Sequence, residues 1–99
     1  MTITCRQEGT ELTVAVAGRL NTVTVSEFED NVMSCPLNSI SGLTLDFKKL
    51  DYISSAGLHS LIRILKQMKS KDAMKIIHAN PMVRETLEIT GFGEYIRID

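Results

Sequence analysis

Two serines, one histidine and one aspartate lie close together in the segment that could carry chemistry. Ser55 is followed four residues later by His59, and Ser54 and Asp51 precede it. Residues four apart on a helix share one face, so the imidazole of His59 could reach the Ser55 hydroxyl. A small serine hydrolase is therefore one interpretation. The segment lacks the Gly-x-Ser-x-Gly pattern of a strained nucleophile elbow, which argues against it.

The same serines stand where a loop enters a predicted helix. Ser54 or Ser55 is the expected N-cap, whose hydroxyl lies beside unpaired backbone N–H groups. A helix N-terminus attracts anions, so a phosphate on that serine would be stabilised there. Ala56 and Gly57 have almost no side chain, so another protein could approach closely. The segment is compatible with a phosphorylation switch, and equally with a plain cap beside a glycine that permits close packing.

The other motifs and residue groups that could carry chemistry give only weak signals. The chain has neither a GxxxxGK[ST] nor a GxGxxG phosphate-binding motif, and Gly91-Phe92-Gly93 is interpreted as a helix end followed by a turn. His59 and His78 lack metal-ligand spacing, and His78 is interpreted as a strand-end residue. Asp46 and Asp51 flank a Lys-Lys pair and are interpreted as turn caps. We therefore expect no metal and no cofactor.

Composition limits the function classes further. Ninety-nine residues predict one domain over residues 1–99, and 11 basic against 12 acidic residues argue against nucleic acid as a partner. No apolar run is long enough to cross a membrane and no signal pattern opens the chain, so we expect a cytoplasmic protein. A free monomer is the default expectation. Cys5 and Cys35 lie far apart without a CxxC motif, so both are predicted to be reduced, core-packing thiols, although one disulfide is conceivable.

Strand-like and helix-like segments alternate along the chain. A hairpin is predicted at the start, since two strand-like runs flank a turn containing Gly9, and Gly18 interrupts the pattern that follows. The predicted strands are Thr2–Gln7, Leu12–Ala17, Leu43–Phe47, Met74–His78 and Tyr95–Ile98. Three helices are predicted. The first begins with a Thr24–Glu27 capping box and ends before Pro36, and the second covers Ser55–Lys69. The third runs from an Asn80 N-cap, with Pro81 at its first position, to a stop at Gly91.

Helical spacing also predicts which side chains are buried. In the first helix the inner residues are Val25, Phe28 and Val32; in the second they are Leu58, Leu61, Ile62, Leu65 and Met68; in the third they are Met82, Val83, Thr86, Leu87 and Ile89. Alternating strands and helices imply right-handed crossovers. The predicted fold class is α/β, with a four- to five-stranded mixed, largely parallel sheet covered by about three helices.

Segments in a fixed order cover nearly the whole chain. They are Gly18–Thr22, Leu45–Phe47, Tyr52–Leu58, and Ile76–Val83 followed by Leu87–Phe92. Together they resemble the STAS domain family, in particular bacterial anti-sigma factor antagonists that act by partner switching. The third segment, Tyr52–Leu58, is similar to the (M/I)-(D/S)-S-(S/T/A)-G-L motif of that family.

The resemblance implies a binding module without catalytic activity. Its unphosphorylated form would bind a serine kinase that doubles as an anti-sigma factor, which frees the sigma factor. The kinase would then phosphorylate one serine and binding would be lost, until a PP2C-type phosphatase restored the hydroxyl. A STAS scaffold or partner in another kinase–phosphatase pathway, without a sigma factor, is the alternative.

The resemblance also assigns site residues. The phosphoacceptor is Ser55, two positions before the glycine of the motif. The expected partner-binding residues are Asn21, Thr22, Ser54, Ala56, Gly57, Leu58 and His59. Ser54 and Asn21 stand where the best-studied branch has aspartates, and Ala56 stands where it has Ser or Thr. Neutral residues at these positions would repel a new phosphate less than two carboxylates would.

Overall fold

The computed structural model describes residues 1–68 and 73–99, in which five strands alternate with three helices. The elements are β1 (Thr2–Glu8), β2 (Glu11–Leu20), α1 (Val25–Met33), β3 (Gly42–Ile53), α2 (Ser55–Gln67), β4 (Met74–Ile77), α3 (Pro81–Ile89) and β5 (Arg97–Ile98), with a short 3-10 helix at Phe92–Glu94. The second helix was predicted to end at Lys69, which lies outside the described residues.

The sheet has the strand order β1-β2-β3-β4-β5. Strands β1 and β2 form an antiparallel hairpin around Gly9, whose φ is +63°, and every later neighbour pairs in parallel. The predicted fold class is therefore confirmed, with five strands and three helices. Because β2 and β3 are parallel, their carboxyl ends meet at one edge of the sheet, and α1 and α2 both begin there.

The core lies between the sheet and the helices. Along β3 the alternating residues Leu43, Leu45 and Phe47 are fully buried, as the period of two for a strand requires. Phe28 and Val32 of α1 close over this layer and are equally buried. The core is aliphatic for the most part.

The buried faces of α2 and α3 differ from the predicted ones. Ile62 is 38% exposed, while Ile64, which was not predicted, is fully buried. The buried face of α2 is therefore rotated about the helix axis relative to the predicted face, so that it includes Leu61 and Ile64 but not Ile62. On α3 only Val83 and Leu87 are buried; Met82 and Ile89 are 61% and 76% exposed, because they lie about 100° around the helix from that narrow stripe.

Strand β3 is longer than predicted and contains no turn at its Lys-Lys pair. It continues beside β2 to Ile53 through a register irregularity that leaves Lys48 and Lys49 exposed and buries Leu50. Asp46 makes the local bond of an Asx turn, its Oδ1 accepting from the Lys48 N–H at 3.0 Å, but both residues remain within the strand.

Two further strand predictions need correction. Gly18 does not end β2, because with φ at +107° it lies within the strand beside the same irregularity. Strand β5 begins only at Arg97, since the 3-10 helix and the turn after it occupy the chain up to Ile96. Gly91, by contrast, has φ of +80° just after α3 and ends that helix as predicted.

Both cysteines are free thiols. Cys35 is half-buried and packs against the core, whereas Cys5 is exposed. The prediction of two core-packing thiols is therefore wrong for Cys5, because it lies on the edge strand β1. Within residues 1–68 and 73–99, no helix has the length and apolar character needed to cross a membrane.

Candidate functional site

Ser54, not Ser55, is the N-cap of α2. Its backbone is extended, with φ of −97° and ψ of 175°, and its Oγ accepts a bond from the Gly57 N–H at 3.4 Å. Its carbonyl accepts the first helical bond from Leu58 at 3.0 Å. Ser55 is therefore the first helical residue, and its side chain is exposed. The two neighbouring hydroxyls have different environments: one supports the helix and the other faces solvent.

A backbone hydrogen bond joins the start of α2 to the end of β2. The Ser54 N–H donates to the Leu20 carbonyl at 2.9 Å. Leu20 and Ile53, the last residues of β2 and β3, are both buried. The helix tip that carries Ser55 is thus held against the loop that follows β2.

Gly57 lets the first turn of α2 pack directly on these two strand ends. A β-carbon at this position would lie 2.8 Å from Cγ1 of Ile53 and 2.9 Å from Cγ of Leu20, closer than atoms pack in proteins. The glycine is therefore required by packing beneath the tip. Gly57 and Leu58, two of the predicted partner-binding residues, are both buried and support the surface from below.

Asn21 organises the loop between β2 and α1. Its Oδ1 accepts bonds from the Val23 and Thr24 N–H groups at 2.9 and 3.2 Å, and its carbonyl accepts one from Val25 at 2.9 Å. These bonds give the loop a defined shape beside the α2 tip. An amide oxygen provides this capping as well as the aspartate of the family pattern would.

The predicted capping box of Thr24 and Glu27 is wrong. Thr24 makes no side-chain cap, because its hydroxyl donates to the Arg19 carbonyl at 2.6 Å and accepts a bond from the Asn21 N–H. Asn21 caps the chain three residues earlier, so the threonine hydroxyl is used to fix the loop to the end of β2.

The exposed part of the site consists of residues from both loops. Ser55, Thr22 and His59 are exposed, and Asn21, Ser54 and Ala56 are half-buried. Next to Thr22, Val23 is 84% exposed, more than any other large apolar side chain of residues 1–68 and 73–99. The structure therefore brings the loop after β2 and the tip of α2 together into one surface.

Arg19 and Tyr52 were not among the predicted site residues. They are paired across β2 and β3, and the Arg19 guanidinium carbon lies 4.5 Å from the centre of the Tyr52 ring. Each stands two residues before its loop, Arg19 before Asn21 and Tyr52 before Ser54. The equal distance of Arg19 and Tyr52 from two strand ends is visible only in the structure, because the predicted strands ended at Ala17 and Phe47.

The arrangement does not resemble a hydrolase. Among the hydrogen bonds of residues 1–68 and 73–99, none joins Ser55 to His59 or His59 to Asp51, and all three side chains are exposed. In the same part of the chain no group of three or more His, Cys, Asp or Glu side chains is placed to hold a metal ion. At this edge the Ser55 hydroxyl is exposed, and the helix tip that carries it is hydrogen-bonded to the end of β2.

Comparison with known proteins agrees with this arrangement. The sequence profile of the STAS domain matches residues 2–99. BtrV, a protein of Bordetella bronchiseptica named as an anti-sigma factor antagonist, is 30% identical over 82 residues, which are 82% of this chain and 71% of BtrV.

Solved structures share the fold at lower sequence identity. An anti-sigma factor antagonist from Mycobacterium paratuberculosis superposes with a TM-score of 0.88 at 18% identity, covering 98% of this chain and 83% of its own. The Bacillus protein SpoIIAA in its phosphorylated form superposes with a TM-score of 0.73 at 11% identity, covering 99% of this chain and 91% of its own.

Proposed function

The chain belongs to the STAS domain family, and from that membership we propose that it is an anti-sigma factor antagonist with Ser55 as its phosphoacceptor. The observation that carries the proposal is the exposed Ser55 hydroxyl at the first position of α2, next to a neighbouring serine whose oxygen is already bonded. The named relatives are binding proteins, so the site acts by binding a partner.

The unphosphorylated form binds an anti-sigma factor serine kinase through the surface around Ser55. Thr22, Val23 and His59 are exposed there, and Ala56 adds only a methyl group, so a partner can approach the hydroxyl closely. Binding occupies the kinase and releases the sigma factor that it holds. A PP2C-type phosphatase restores this form.

Phosphorylation ends the interaction by changing the charge of the surface. A phosphate adds a charge of about −1.5 to −2. Burying it unpaired in a close interface costs several kcal/mol, which corresponds to roughly a hundredfold or more in affinity. Ser54 and Asn21 are neutral, so these two neighbours add no repulsion to the phosphate within this chain.

A comparison of two variants as baits tests the proposal. Ser55→Ala, which cannot be phosphorylated, is expected to retain the kinase from a cell extract, and Ser55→Asp is expected to retain little. The captured kinase, once purified and identified, should transfer one phosphate from ATP to the wild-type chain, mapped to Ser55 by mass spectrometry. Ser54→Ala is the matched control, and its phosphate should still map to Ser55.

Each alternative has its own outcome. Phosphate on Ser54, Thr22 or Ser60 would overturn the assignment of the acceptor. Equal affinity of Ser55→Ala and Ser55→Asp, measured by calorimetry with the purified kinase, would remove the electrostatic account. A captured kinase that binds Ser55→Ala but no sigma factor would place the protein in another kinase–phosphatase pathway.

A further inference from the structure

The two cysteines, distant in sequence, are brought together by the packing of α1 on β1. Cys5 pairs with Val14 across the hairpin, and Val14 is fully buried under the helices. Directly paired residues share one face of a sheet, so the Cys5 side chain lies on the helix-covered face. Cys35 follows α1, packs against the core, and its Sγ donates to the Asn31 carbonyl at 3.7 Å.

The two thiols consequently interact with each other. Helix α1 contacts β1, so the helix-facing Cys5 thiol lies near Cys35, which contributes to the raised pKa of Cys5. The pair lies beyond the far end of α1 from the Asn21 loop and Ser55, so it plays no part in the site described above. Cys5 is open to solvent-borne reagents, while Cys35 is half-buried.

We propose that Cys5 and Cys35 form an oxidisable dithiol, which a small-molecule disulfide such as oxidised glutathione converts to an intramolecular disulfide. The exposed Cys5 thiolate attacks one sulfur of the oxidant, and one glutathione thiolate leaves. The Cys35 thiolate then attacks the Cys5 sulfur and expels the second glutathione. Two electrons and, through solvent, two protons pass from the protein thiols to the oxidant, which leaves as two glutathione thiols, so the exchange balances.

The environment of Cys5 slows its reaction with the oxidant at neutral pH. Partial burial, together with the neighbouring Cys35, raises the pKa of the Cys5 thiol above its ordinary value. It is therefore protonated at neutral pH, and only the small thiolate fraction reacts. The bond would join β1 to the end of α1 and close a loop of about thirty residues, which restricts the unfolded chain.

The test uses the full chain with oxidised glutathione, followed by acid quenching and mass spectrometry without reductant. The expected product is a monomer lighter by two hydrogens, whose peptide map links Cys5 to Cys35. Its Tm should rise by roughly 10 °C over that of the reduced chain, and dithiothreitol should reverse the change.

Single-cysteine variants test whether both thiols are needed for the internal disulfide. Cys35→Ser should stop at a mixed disulfide of Cys5 with glutathione, and Cys5→Ser should form no internal bond. Disulfide-linked dimers of the wild-type chain, a stable glutathione adduct as its end product, or thiols that survive the oxidant unchanged would each overturn the proposal.

Discussion

The hydroxyls of the neighbouring residues Ser54 and Ser55 have different roles. The Ser54 oxygen accepts a bond from Gly57 and holds the first turn of α2, whereas the Ser55 side chain is exposed one position later. A cap hydroxyl that is already bonded is a poorer target for a kinase than an exposed one. This difference between Ser54 and Ser55 exists because α2 begins at Ser55 and not one residue earlier or later.

Gly57 provides a prediction about packing under the site. Gly57→Ala would place a β-carbon within 3 Å of Ile53 and Leu20, both buried at the strand ends, so one of the two must shift. We expect the free energy of unfolding to fall by about 1–3 kcal/mol, as for overpacked cores, in urea titrations.

Gly93→Ala is the matched control for that substitution. A β-carbon there would meet its nearest atom, Cδ1 of Ile98, at 3.9 Å, an ordinary contact distance. Its unfolding free energy should stay within about 0.5 kcal/mol of wild type. If Gly57→Ala proved as stable as this control, the packing account of the glycine would be wrong.

Ser60 provides a second prediction at this scale. Its side chain is fully buried on α2, and its Oγ has no hydrogen-bond partner. A buried hydroxyl without a partner costs about 1–3 kcal/mol in lost hydration. Ser60→Ala should therefore leave the urea midpoint unchanged or raise it.

The exposed Ser26 in α1 is the comparison for Ser60, since Ser26→Ala changes only helix propensity. Ser60→Ala should gain at least as much stability as Ser26→Ala. A clear loss at Ser60 alone would mean that its hydroxyl has a partner in solution.

At the scale of elements, an ion pair links the two helices that flank the site. Arg63 of α2 donates two bonds to the Glu29 carboxylate of α1, the one from Nη2 at 3.0 Å. These bonds hold the pKa of Glu29 below its ordinary value. The stabilisation is therefore present above the ordinary pKa of a glutamate and is lost as the pH falls through the lower, folded-state pKa.

Arg63→Gln tests this pH dependence. At pH 7 the variant should melt a few degrees below wild type, because the pair is half-exposed and contributes modestly. At an acid pH below the folded-state pKa of Glu29 the gap should narrow, since Glu29 is then protonated in both proteins. Arg84→Gln, which removes an exposed pair with Glu88 within α3, should show almost no gap at either pH. A gap for Arg63→Gln that stays constant between pH 7 and that acid pH would exclude Glu29 as its origin.

The types of the elements could be predicted from the sequence more readily than their bounds. Apolar alternation and the Asn80-Pro81 start signal identified strands and helices correctly, and the Asn80 Oδ1 indeed accepts a bond from Val83 at 2.8 Å. The capping box at Thr24 was wrong, because Asn21 formed the cap instead. Local patterns offer several competing caps, and the tertiary contacts of the loop decide between them.

At the scale of the whole molecule, we expect phosphorylation of Ser55 to change the surface and leave the fold intact. The buried apolar residues of α2 are Leu58, Leu61, Ile64 and Leu65, and the buried Met68 follows the helix directly. Burying each such side chain contributes about 1.5–3 kcal/mol, whereas an anion at a helix N-terminus contributes about 0.3–1 kcal/mol, and with a favourable sign. The Tm of the phosphorylated chain should therefore hold or rise slightly.

Amide NMR shifts provide the matching measurement. They should be confined to 53–59 and to 20–24, the two segments joined by the bond from Ser54 to Leu20. Shifts that reach β4 or α3, or a clearly lower Tm, would indicate a conformational relay in place of direct occlusion.

The sequence by itself determined the α/β class, the parallel sheet and the position of Ser55 near a helix start, because hydrophobic period and turn residues are local properties. Tertiary structure alone decided that Ser54 is the cap, that Gly57 must pass Leu20 and Ile53, and that Arg19 stacks on Tyr52. It also decided that Ile64, not Ile62, is buried and that Cys5 meets Cys35. Each of these depends on strand register and helix rotation, which are fixed by contacts between residues far apart in the chain and which no local pattern encodes.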